Sequence, residues 1–241
     1  MTLFGSTLYV VTDPQHTVEV YKNDTTLSFD EFAQDLVRTN GYSEAAVLAS
    51  YTKLPVDKPG FPNPSGAAFG TFVRQMHMRQ LYPGTELLAL EKRFLAWYDQ
   101  NLTESAIQES CSLYGLSARL EKDSEWLTVP AMQWCSNYAT RGGEVSYFGD
   151  ALGFINPNLA SAFLDFDDLS WQVLYRYPAL LSGKMRAARL QMMHAFTEYL
   201  RIPQTQRDGS AWLLNAIADE ARQIGVADED IAVLYFNIYW L

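Results

Sequence analysis

The sequence predicts a mainly α chain with one short N-terminal β hairpin, and three observations carry that prediction. Apolar residues recur at three- and four-residue steps from Pro14 onward. Strand-like alternation is confined to the first eleven residues. The chain closes on a charge-free run, Ile231 to Leu241 (IAVLYFNIYWL), set up as a helix by what precedes it. Gly225 suits a left-handed stop of the preceding helix, Asp228 suits an N-cap, and Glu229 and Asp230 favour the positive helix end. Apolar all round except for Asn237 and the Tyr hydroxyls, the run predicts a helix buried on every side. Eleven residues are too few to cross a bilayer. The run is therefore expected to be the first turns of a central helix whose partners lie beyond Leu241, leaving an exposed apolar end whose deletion should improve solubility.

Composition bounds the rest. With 241 residues, 48% hydrophobic and 14% aromatic, the chain can bury a sizeable core, and residues 1–241 are expected to form a single, incomplete domain. Eighteen basic residues against 28 acidic ones give a formal charge of -10, which would repel a phosphate backbone, so no nucleic-acid partner is expected. Cys111 and Cys135 have neither CxxC nor Cys/His spacing and are expected to be buried, reduced and structural.

In chain order, Leu3-Phe4, Gly5-Ser6 and Leu8 to Val11 predict the hairpin, and Asp13-Pro14 opens a helix to Lys22. The opening residues lack a basic region followed by a long apolar core, so neither signal peptide nor membrane anchor is expected. Leu27 to Arg38 carries a helical stripe at Phe29, Phe32, Ala33 and Leu36, and Ser43 to Tyr51 continues as short helix. Ser50 and Lys53 match Ser-x-x-Lys only by chance, without that motif's companions. Lys53 to Ser65 holds four of the ten prolines and predicts a long loop.

Gly66 to Tyr82 predicts a helix ended by Pro83-Gly84, with Arg74, His77 and Met78 on one face and Arg79 elsewhere. Arg74 and His77 could meet a buried anion such as a carboxylate or a propionate. The plainer reading is an arginine reaching solvent and a histidine satisfied in the core. Glu86 to Leu102 predicts a helix burying Leu87, Leu90, Phe94 and Tyr98. A helix over Glu104 to Leu113, a break at Gly115, and a helix from Trp126 to Arg141 ended by Gly142-Gly143 follow. Two glycosylation sequons, at Asn23 and Asn101, carry little weight without a secretory signal.

The run Tyr147-Phe148-Gly149-Asp150-Ala151-Leu152, followed by Asn156-Pro157, Phe166-Asp167 and Trp171, resembles the stretch leading into the F helix of fungal cytochrome P450 proteins of the 7α-hydroxylase and prostacyclin-synthase branch. Other segments agree in order. Tyr9 to Pro14 resembles the first hairpin and B helix of that family, Leu27 to Asp30 the segment after it, and His77 with Gln80 to Gly84 the C helix and its exit. Met185 to Leu200, Trp212 to Ile224 and Ile231 onward stand where its G, H and I helices would.

The resemblance implies a partial cytochrome P450-like fold with helices B to H and the start of I. It also implies haem as cofactor, hydroxylation of an apolar small molecule, an NADPH-dependent reductase as partner, and a cytoplasmic location or one at the cytosolic face of the endoplasmic reticulum. The departures from the family are equally specific. Neither cysteine stands in the Phe-x-x-Gly-x-x-x-Cys context of the thiolate that activates oxygen. Ala-Gly-x-x-Thr is absent, and Glu198 to Arg201 matches Glu-x-x-Arg before the central helix rather than after it, as a surface i,i+3 pair would. No Trp-x-x-x-Arg occurs, which leaves Arg74 and His77 as the candidates for haem propionates. The expectation is a truncated, inactive member of that family; the alternative is a non-catalytic helical protein that binds an apolar ligand or partner.

Overall fold

Local signals account for where most helices begin. Asp13 stands in extended backbone and its carboxylate accepts the Gln15 amide, opening α1 (Pro14–Lys22) with proline where a missing N–H costs nothing. After α2 (Asp30–Thr39), Ser43 caps α3 (Glu44–Tyr51) by accepting from the Ala46 amide. The computed structural model describes residues 2–3, 6–7, 9–23, 26–27, 29–113, 119–120 and 127–240. The chain is mainly helical, as its periodicity predicts. β1 (Thr2–Leu3) pairs antiparallel with β2 (Ser6–Thr7), and β3 (Arg119–Leu120) with β4 (Leu127–Thr128).

The first hairpin is shorter than expected. Val10 and Val11 are exposed and belong to no strand, because β-branched residues favour a strand only where a neighbouring strand or face covers them. Gly5, Leu8, Gly115 and Trp126, on which other expectations fell, lie outside the described residues, as does the second residue of the Asn23 sequon.

α4 (Phe69–Leu81), α5 (Thr85–Asn101) and α6 (Glu104–Leu113) follow the predicted order. On α5 only Leu90 is buried, while Phe94 is 37% exposed. The helix turns its aromatic residues to α7 (Ala131–Phe148) instead, with Trp97 and Tyr98 centred 5.0 and 5.8 Å from the Tyr138 ring. This packing explains a second correction: Gly142-Gly143 does not end the helix. A Cβ at Gly142 would lie 2.7 Å from the Tyr98 ring, so glycine there admits a neighbouring helix rather than a stop. α7 ends at Gly149, whose φ of +67° suits glycine and whose missing Cβ leaves room for the Asp208 carbonyl.

α8 (Ala151–Ile155), α9 (Leu159–Leu169) and α10 (Trp171–Leu174) lead to α11 (Gly183–Arg201), which packs along α9. α12 (Trp212–Gln223) ends before Gly225, which is left-handed at φ +82°. α13 (Asp228–Trp240) then runs into the middle of the molecule.

Much of α13 finds its cover within the chain itself. Ile231, Ala232, Tyr235 and Phe236 are each 0% exposed, covered by α2, α9, α11 and α12 of the same chain. Phe166 on α9 meets Phe236 edge-on at 5.0 Å. Phe148, at the end of α7, lies between 5.4 and 5.9 Å from the rings of Tyr199, Tyr235 and Tyr239. Two buried phenols around it are satisfied: Tyr235 donates to the Leu214 carbonyl at 2.7 Å and Tyr199 to the Phe148 carbonyl at 3.1 Å. Asp228 accepts from Arg222 at 2.8 Å, and Asp230 accepts from both the amide and the hydroxyl of Ser43, clipping the start of α13 to the start of α3.

Candidate functional site

α2, α3, α4, α12 and α13 do not close completely on one another. Between them lies a cavity of about 660 Å³, walled by Val37, Phe69, Val73, Leu81, Ile217, Leu234 and Ile238. α4 enters it because Phe69 and Val73 fall on the same stripe as Arg74 and His77. Both residues singled out in the sequence therefore line this one cavity. Met78, expected on the same face, is 42% exposed and outside the lining. Arg79 turns away as expected, its guanidinium 4.5 Å from the Trp212 ring centre and 3.9 Å from Glu86.

The two polar side chains on α4 differ in state. His77 Nδ1 lies 3.0 Å from the Val73 carbonyl, an acceptor, so the ring donates there and Nε2 is left for another partner. Arg74 is exposed and pairs with no carboxylate among the described residues. The plain reading, in which it reaches solvent, holds together with its place on the cavity wall.

Residues that the sequence assigned to no site complete the polar part of this one. Tyr42 and Ser50 lie 2.8 Å apart, hydroxyl to hydroxyl, both almost fully buried. Burial pushes the Tyr42 phenol up to about 12, so it stays protonated across the physiological range. Asn40, the C-cap of α2, donates at 2.8 Å to Asn237 Oδ1 on α13, while Asn237 Nδ2 is buried without a hydrogen-bond partner. Asn237 could have been found from sequence as the one amide in an otherwise apolar run. Tyr42 and Ser50 gave no such signal.

A second cavity, of about 340 Å³, shares Tyr147 and Ile238 with the first. Glu144 stands in its wall with a side chain 0% exposed. One of its oxygens is 2.8 Å from Arg141 and the other accepts from the Tyr239 hydroxyl at 2.9 Å. Burial raises the Glu144 carboxyl above its ordinary 4.5, with Arg141 and Tyr239 pulling it part of the way back. Reading Gly142-Gly143 as a helix end concealed this arrangement, since Arg141 and Glu144 become i,i+3 neighbours only if α7 continues.

A carboxyl that holds its proton more tightly folded than unfolded stabilises the fold fully below about pH 4.5, and that contribution is lost as pH rises through the raised value. Glu144→Gln keeps an acceptor for Tyr239 and removes the titration. Unfolding midpoints of the two proteins should shift in favour of the variant as pH rises from about 4.5, until the raised value of the Glu144 carboxyl is passed. A constant difference would mean that Glu144 ionises normally.

The cysteines do not join either cavity. Cys111 is buried on α6, where burial raises its thiol pKa, whereas Cys135 is exposed on α7, contrary to expectation. Its exposure follows from α7 spending its inward face on Trp134 and Tyr138 against α5. Glu198 and Arg201 pair at 2.5 Å as the expected surface i,i+3 contact. Among the described residues no helix is long and apolar enough to cross a membrane. No family model, curated protein or solved structure matches this chain.

Proposed function

We propose that the chain binds one apolar small molecule in the cavity between α2, α3, α4, α12 and α13. The observation that carries this reading is the cavity itself. At about 660 Å³ it falls inside the range of roughly 300–1,000 Å³ typical of small-molecule sites, and aliphatic and aromatic side chains dominate its wall. An apolar cleft of that size leaves its walls without packing partners, a cost that a bound apolar molecule would offset. The neutral fluorophore Nile red tests it. Bound dye should brighten and shift to the blue with a single site per chain, and Val73→Trp, which fills the cavity from α4, should abolish the signal while leaving the helical circular dichroism intact. Equal binding by the variant removes the reading.

A second reading is a partial haem-thiolate monooxygenase, favoured by Arg74 and His77 lining one cavity together. In it, the two side chains would hold a haem propionate, the substrate would be an apolar molecule hydroxylated with electrons from an NADPH-dependent reductase, and the protein would work at the endoplasmic reticulum. The residues present fit the propionate side, where a cation and an imidazole stand without a carboxylate. They do not fit the axial side: the cavity lining contains no cysteine, and no step of oxygen activation is assigned to this chain. Titration with haem, followed by reduction and carbon monoxide, separates the two readings. Loose haem association that weakens in His77→Ala, with no thiolate-type absorption band, is the expected result; such a band would point to Cys111 or Cys135 as the ligand.

A further inference from the structure

Charge is distributed unevenly between the surface and the larger cavity. The chain carries 28 acidic and 18 basic residues, yet among the described residues no Asp or Glu lines the cavity, whereas one Arg and one His do. Arg74 has no carboxylate partner among the described residues, and His77 has committed only Nδ1. Among the described lining side chains, Asn237, 9% exposed, carries a buried polar atom without a partner, the donor Nδ2. An apolar space whose one cation, Arg74, is free of carboxylates and whose one unpaired buried amide atom is a donor, in a chain that is otherwise acidic, selects for an apolar body bearing an acceptor or a negative charge.

We infer that the ligand of this cavity is an amphipathic monocarboxylic acid, its apolar body within the cavity and its carboxylate held by the Arg74 guanidinium, beside His77. The inference rests on the apolar-ligand reading above and adds the headgroup. Arg74 supplies a planar fork of donors that matches a carboxylate, and three-residue spacing on α4 brings His77 to the same side. The carboxylate stays near the exposed Arg74, so it need not lose all of its hydration, while the apolar body takes the drier space beyond. A phosphate monoester would bring a second charge for which the lining offers no second guanidinium.

The test uses the full chain and a matched pair of probes, hexadecanoic acid and hexadecan-1-ol, each displacing Nile red below its aggregation concentration. The acid should bind about tenfold or more tightly than the alcohol, as expected for one charge-assisted hydrogen bond. Arg74→Met should erase that preference by weakening the acid far more than the alcohol. Equal affinities for acid and alcohol in the unaltered protein, with Nile red bound, would overturn the headgroup assignment and leave the apolar cavity standing. A preference that survives in Arg74→Met would overturn it too. Absence of Nile red binding would remove both readings together.

Discussion

Phe236→Ala is expected to lower the unfolding free energy by about 3–5 kcal/mol, the range for truncating a buried aromatic side chain where the surroundings cannot collapse into the space. Phe236 is 0% exposed and packs against Phe166 and Trp240, with ring centres 5.0 and 6.3 Å away. Set against a typical margin of about 5–15 kcal/mol, the change leaves the chain close to its unfolding threshold. Urea melts followed by circular dichroism measure it. Removing residues 231–241 should go further and leave an insoluble chain, since the faces of α9, α11 and α12 that cover α13 would then be exposed. A soluble, helical deletion product would show that α13 is not the centre of the fold, and would restore the sequence-based expectation of an unpartnered helix.

The second large effect is expected at Glu220. The Pro-rich loop between α3 and α4 crosses the surface only as far as α12, where the Glu220 carboxylate accepts from both the Lys58 ammonium and the Phe61 amide. The Lys58 and Glu220 side chains are 8% and 5% exposed, so neither charge has water as a substitute partner. Glu220→Ala should cost about 3–5 kcal/mol, because it leaves a buried ammonium uncompensated. Lys58→Met combined with Glu220→Leu should cost clearly less than Glu220→Ala alone, since no buried charge then remains. A double variant at least as unstable as the single one would assign the effect to the Phe61 amide and the loop backbone. The same pair has a functional consequence: it seats Phe61 against Phe72 and Trp212, 6.2 and 5.9 Å between ring centres, behind the helix that carries Arg74 and His77. Loosening the loop should therefore also weaken Nile red binding.

The sequence by itself determined those features whose causes lie within a few residues of each other. The helix at Pro14 is legible because Asp13 and Pro14 are adjacent, and the stop at Gly225 because a single residue supplies the left-handed backbone. Arg74 and His77 share a face because helical spacing places them there, whatever else the chain does. That much of α13 is buried follows from its charge-free apolar run from Ile231 onward.

Tertiary structure alone decided what those faces meet. Gly142-Gly143 is a legitimate local stop signal, overruled because Trp97 and Tyr98, more than forty positions earlier, need the space that a glycine leaves. The same continuation of α7 made Glu144 a buried partner of Arg141 and Tyr239, and left Cys135 on the outside. α13 finds its cover within the chain, including Asn40 at a separation of 197 residues, a pairing that no local pattern encodes. The cavity is less legible still, because a void is a property of several helices failing to close on one another, and its selectivity depends on which few donors happen to face it unpaired. Local periodicity specifies a surface for each helix; only the packing of all the helices together specifies which parts of those surfaces stay uncovered.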